Sequence, residues 1–112
     1  MSVRFVTRDP QNLLNEFKAA VKRGDLPTWR LDAQEDFRHV PGGWDAKAWW
    51  GPTCEAGSLL LTIGFGVVSQ NKRETFGVLT GRIIEPFVSH MWRHFEGAKV
   101  IEMPSDGDYS TA

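Results

Sequence analysis

Three histidines, a single cysteine and five tryptophans are the residues of this 112-residue chain whose chemistry is most distinctive. His90 and His94 stand four positions apart, so on a helix their side chains share one face. Histidines at that spacing can ligate one metal ion, provided a third ligand arrives from elsewhere. His39, Cys54 or Glu55 would have to supply it. Met91 stands where a zinc protease carries its glutamate. The plainer reading puts both histidines beside an apolar stripe with Ile83 and Phe87, hydrogen-bonding locally. Cys54 could be a nucleophile if a histidine lowered its pKa, but no nucleophile motif surrounds it. A lone cysteine in a strand is more often a small core residue. Asp32, Glu35 and Asp36 fall at an expected turn, where carboxylates are ordinarily solvated. Gly64-Phe65-Gly66 lacks the spacing and the Lys-Ser/Thr of a phosphate loop, and glycines inside a strand point to a bulge or a close approach of another backbone. No catalytic residue is assigned from these patterns, and no cofactor is expected.

The tryptophans carry a different chemistry. Trp29, Trp44, Trp49 and Trp50 crowd into one short stretch. Each combines a large apolar surface with one N–H that needs a partner. Trp49 and Trp50 are adjacent, so on a strand they point to opposite faces. Arg30 and Arg38 should project from a neighbouring hairpin to the same side as one of these indoles. Indole and guanidinium attract through the ring quadrupole, and both are enriched where proteins bind partners. Arg30, Arg38, Trp49 and Trp50 are therefore the candidate binding residues. The alternative covers that indole with Trp44, Pro41 and the arginine stems as a minor second core.

These residues must be positioned by a small number of elements. Ser2 to Thr7 reads as a strand. Asp9 as N-cap and Pro10 at the first position begin a helix in which Leu13, Leu14, Phe17, Ala20 and Val21 recur at helical spacing, and Gly24 ends it. Thr28–Asp32 and Asp36–Val40 form a hairpin, broken afterwards by Pro41-Gly42-Gly43. Ala48–Cys54 and Ser58–Val68 form a second, with Leu59, Leu61, Ile63, Phe65 and Val67 on one face. Asn71 and Glu74 make a capping-box-like start to a helix that runs toward Phe95, with Pro86 expected to kink or split it. A strand over Thr75–Leu79 is the competing reading. Gly77 and Gly81 would let this helix sit close to the sheet. Lys99–Met103 is a last strand. Strand, helix, four strands, helix, strand predicts an α+β fold: a twisted antiparallel sheet of five to six strands with two helices on one face. A single domain spans residues 1–103, with a polar tail over 104–112.

Composition bounds the function. Thirteen Lys and Arg against fourteen Asp and Glu leave a net charge of −1, which asks for no nucleic-acid partner. No apolar run approaches the length that crosses a bilayer, the N-terminus lacks the apolar core of a signal peptide, and one unpaired cysteine fits a reducing cytoplasm. The segments TWRLDAQEDFRHVPGGWDAKAWWGP and FGVLTGRIIEPFVSHMWRHF resemble those of a group of short bacterial proteins with no assigned activity. That resemblance implies a small α+β fold and a bacterial or phage origin, and supplies no substrate. The expectation is a non-enzymatic module that uses its Trp/Arg sheet face to bind a protein partner or a second copy of itself. The alternatives are a metal-binding protein or a small enzyme with a site near His90 and His94, with His39 a further metal candidate; a pocket between helix and sheet lined by His39, Cys54 and His94 would favour the enzyme.

Overall fold

The computed structural model describes residues 1–102 and the backbone of Tyr109 and Ser110. The elements in chain order are β1 (Ser2–Val6), α1 (Pro10–Arg23), β2 (Trp29–Leu31), β3 (Phe37–His39), α2 (Trp44–Lys47), β4 (Ala48–Glu55), β5 (Ser58–Phe65), α3 (Lys72–His90), β6 (Gly97–Ile101) and β7 (Tyr109–Ser110). Six strands pair antiparallel in the order β2-β3-β4-β5-β1-β6, and β7 adds a short parallel pairing to the end of β5. The architecture is α+β, as the alternation of hairpins and amphipathic helices requires. The polar tail expected over 104–112 lies, apart from the two residues of β7, outside the described residues.

The helices form where their ends are chemically specified. The Asp9 carboxylate accepts the backbone N–H of Asn12 at 3.0 Å, and Gly24 closes α1 in the left-handed conformation at φ 82°. At the start of α3 the Asn71 side chain accepts the N–H of Glu74 at 3.0 Å, and its amide nitrogen donates to the Glu74 carboxylate at 3.2 Å. Thr75–Leu79 is helical, and α3 runs unbroken through Pro86, which only deprives the Arg82 carbonyl of its helical donor. The helix stops at His90, because Met91 takes φ −114°, ψ 8°, and the chain continues in a separate 3-10 turn over Trp92–His94.

Both long helices cover one face of the sheet. Phe87 of α3 stacks on Phe5 of β1 at 4.0 Å and on Phe17 of α1 at 4.3 Å, and Phe17 meets Phe37 of β3 edge-on at 4.9 Å. Registered pairs show which strand residues share that face: Val3 with Leu61, Phe5 with Leu59, Trp50 with Ile63, Phe37 with Trp50, and Trp29 with His39. All of these side chains are buried. β5 ends at Phe65, so Val67 lies outside the strand and is exposed.

The glycines divide into two kinds. Gly64 and Gly66 are required by close approach: a Cβ on Gly64 would meet the Trp49 indole, and one on Gly66 would meet the Ala46 carbonyl. Gly77 and Gly81 do the opposite of what their spacing suggested. Both are exposed, and a Cβ at either meets nothing, so they do not mediate helix–sheet packing. Gly77→Ala is therefore expected to raise stability by about 0.5–1 kcal/mol, because the unfolded chain loses freedom that the helix does not use. Gly64→Ala is expected to cost about 1–3 kcal/mol through overpacking. Urea midpoints of the two variants check both signs.

Candidate functional site

The hairpin of β2 and β3 builds two surfaces at once. Its ladder pairs Trp29 with His39, Arg30 with Arg38, and Leu31 with Phe37, so successive rungs alternate between the two faces of the sheet. The arginine rung projects away from the helices. Two guanidiniums opposite each other repel, and nearby acidic groups offset that repulsion. Arg38 donates from Nε to Asp32 Oδ2 at 2.6 Å and from Nη1 to the Asp45 carbonyl at 2.6 Å. Arg30 Nη2 lies 3.6 Å from Asp45 Oδ2. The Arg38 guanidinium sits 4.5 Å from the centre of the Trp49 ring, which lies in turn across Gly64. β4 therefore sends Trp49 to this face and Trp50 into the core, where Trp50 is wholly buried and its Nε1 has no hydrogen-bond partner. Of the four sequence candidates, the fold assembles Arg30, Arg38 and Trp49 and puts Trp50 on the opposite side of the sheet.

Asp32 departs from the solvated turn carboxylate expected of it. Its Oδ1 accepts the backbone N–H groups of Gln34 and Asp36, which shapes the turn in which Glu35 adopts φ 63°. Burial works to raise its pKa, but the hydrogen bond from Arg38, those two N–H groups and the Arg38 charge together hold it below its ordinary 3.8. Burial, and then the charge of Asp32, push Asp36 upward. The guanidinium–carboxylate pair is thus held by further hydrogen bonds on both of its members, which places the Arg38 guanidinium over Trp49.

The other rung faces the helices and lines an open cleft of about 890 Å³ between α3 and the end of the sheet. Its walls include Trp29, His39, Trp44, Gly81, Arg82 and Glu85. The His39 ring packs against Trp29 at 4.8 Å, tilted by 50°. It is 8% exposed, and its Nδ1 is buried without a partner. Burial holds His39 below its ordinary pKa of 6.5, and the positive charge of Arg82 adds to that shift. Trp44 reaches this cleft because Gly42 and Gly43 both take positive φ and turn the chain back. The Lys47 ammonium lies 4.3 Å from the Trp44 ring centre.

The fold disperses the metal and nucleophile candidates. His90 closes α3, whereas His94 lies in the following 3-10 turn, so the shared helical face that motivated the pair does not exist. His94 borders a groove with Thr7, Asp9 and Arg93, and its carbonyl accepts the Thr7 hydroxyl at 2.6 Å. His39 is in the aromatic cleft. Cys54 is not the small core residue expected: it is exposed near the end of β4, with Sγ 3.6 Å from Oε1 of Gln11 in the first turn of α1. Among the described residues, no group of three His, Cys, Asp or Glu side chains is arranged to hold a metal ion. Sequence reasoning missed Arg82 and the role of Trp44. The break at Pro41-Gly42-Gly43 was the available signal that Trp44 could fold back.

No protein-family model matches the chain, and neither a curated protein nor a solved structure matches it.

The unfolded chain protonates His39 near pH 6.5 and the folded chain resists that proton. Stability is therefore expected to be insensitive to this group above pH 6.5 and to decline as pH falls below it toward the lower folded value. Urea unfolding of wild type and His39→Gln at about pH 7.5 and about pH 5.5 isolates this component, and the wild type should lose more stability on acidification. An NMR titration placing the His39 midpoint at or above 6.5 would contradict it.

Proposed function

We propose that this chain is a non-enzymatic binding module that engages a protein partner, or a second copy of itself, through the sheet face bearing Arg30, Arg38 and Trp49. The observation that carries the reading is the preorganised indole–guanidinium pair on the side opposite both long helices. Arg38 spends no further ordering entropy on binding, since Asp32 and the Asp45 carbonyl already hold it. Arg30 is the adaptable member: its side chain is 47% exposed and its approach to Asp45 is long. A two-fold pairing could exchange Arg30 and Asp45 between two copies, which makes the surface self-complementary. Among the described residues no helix is long and apolar enough to cross a membrane. The proposal sets this module in a bacterial cytoplasm, where a free exposed thiol such as Cys54 stays reduced.

Arg30→Gln is the informative variant, because the residue is exposed and a neutral side chain there offers Arg38, its partner across the ladder, no carboxylate to compete with Asp32. Sedimentation of wild type is expected to show self-association that this variant weakens by about tenfold or more, with an unchanged melting temperature. A wild type that remains monomeric to about 100 μM, with a Trp49 fluorescence that acrylamide cannot quench, would remove the basis of the proposal.

A further inference from the structure

The cleft on the helix side supports a second recognition role, independent of the sheet face. We propose that it binds a small planar aromatic monocarboxylate, with the ring lodged among Trp29, His39 and Trp44 and the carboxylate paired to Arg82. Its volume of about 890 Å³ falls in the range that holds small ligands. Three observations specify the ligand class. The walls are aromatic: Trp29 and His39 pack against each other, tilted by 50°, and show only their edges, while half-buried Trp44 is brought in by the glycine turn with the Lys47 ammonium over its ring. Such walls favour a planar ring over a saturated one.

The charge pattern specifies the rest. Arg82 is exposed on α3 and makes no ion pair or hydrogen bond among the described residues. A planar guanidinium left free at the mouth of an aromatic cleft suits a carboxylate, which it can hold through two parallel N–H donors. Glu85 lines the same cleft, so a ligand carrying two negative charges is disfavoured. The Glu85 side chain is steadied by the Ser89 hydroxyl, which donates to Oε1 at 3.3 Å. His39 is more than nine-tenths buried, with an unpartnered Nδ1, and its exposed remainder borders the cleft. Burial, and then the Arg82 charge, disfavour the protonated ring, so the edge of His39 adds an aromatic border to the cleft without favouring a further cation. Gly81 keeps the space open, since a Cβ there meets nothing within 4 Å.

The full chain can be titrated with 2-naphthoate, by calorimetry and by NMR of the indole N–H groups. Neutral 2-naphthamide and saturated cyclohexanecarboxylate serve as matched controls. Saturable binding of 2-naphthoate is expected, with the largest shifts at Trp29 and Trp44 and little change at Trp49. Arg82→Gln should weaken it about tenfold or more, and 2-naphthamide should bind wild type no better than 2-naphthoate binds that variant. Gly81→Leu should abolish binding while leaving or raising the melting temperature, because it fills the cleft and improves helix propensity. The proposal is overturned if 2-naphthoate shows no saturable binding up to about 10 mM. It is also overturned if cyclohexanecarboxylate binds equally well, if Arg82→Gln binds as wild type does, or if the shifts centre on Trp49.

Discussion

The stack of Phe17, Phe87 and Phe5 is the contact on which the rest of this molecule depends. Phe87 lies between a ring of α1 and a ring of β1, nearly parallel to both, so a single side chain ties both helices to the sheet. Stacked aromatic pairs contribute about 0.5–1.5 kcal/mol each beyond the apolar area they bury. Their larger effect is geometric. With Phe87 held against Phe5 and Phe76 against Trp50, the orientation of α3 is set at two points along its length. The turns carrying Val78, Gly81, Arg82 and Glu85 then have to face Trp29, His39 and Trp44. The cleft follows from where the core holds the helix.

The pleat of the sheet distributes chemistry between two surfaces. Three rungs of one hairpin supply an aromatic pair to the helix side, an arginine pair to the open side and an apolar pair to the core. The same alternation separates Trp49 from Trp50, and Gly64 provides the flat place on which Trp49 rests. A shift of one residue in the register of β4 would exchange the two indoles and bury an arginine-facing surface. The register is defended by the apolar series Leu59, Leu61, Ile63 and Phe65, all buried on one face.

Much of this was legible in the residue pattern, and what was not has specific causes. α1 could be read from end to end because its cap, its stripe and its closing glycine are all local signals. The two hairpins and the α+β class were legible for the same reason: period and turn chemistry are written in short windows. The end of α3 was not. The apolar spacing continues through Met91 and Phe95, but the chain leaves helical geometry at Met91, which separated His90 from His94. The two helix glycines misled because spacing gives a face and does not say which face meets the sheet. Which indole lay inside was set by strand pairing, a long-range property. The cleft was the least legible, since Arg82 belongs to the polar side of its helix and is joined to Trp29, His39 and Trp44 only by the tertiary fold.

The order of the strands has a consequence for how the chain reaches this state. β1, which precedes every other strand of the sheet, sits between β5 and β6, with Val3 flanked by Leu61 and Val100. Its neighbours are among the later parts of the chain to emerge, so on a ribosome it must wait unpaired while α1 and the β2–β3 hairpin form around local contacts. Closure of the central ladder then requires ends distant in sequence to meet, which sets a slow, late step dominated by loop entropy. Until that step the strand has both edges bare and leaves Val3 and Phe5, wholly buried in the finished fold, without their cover.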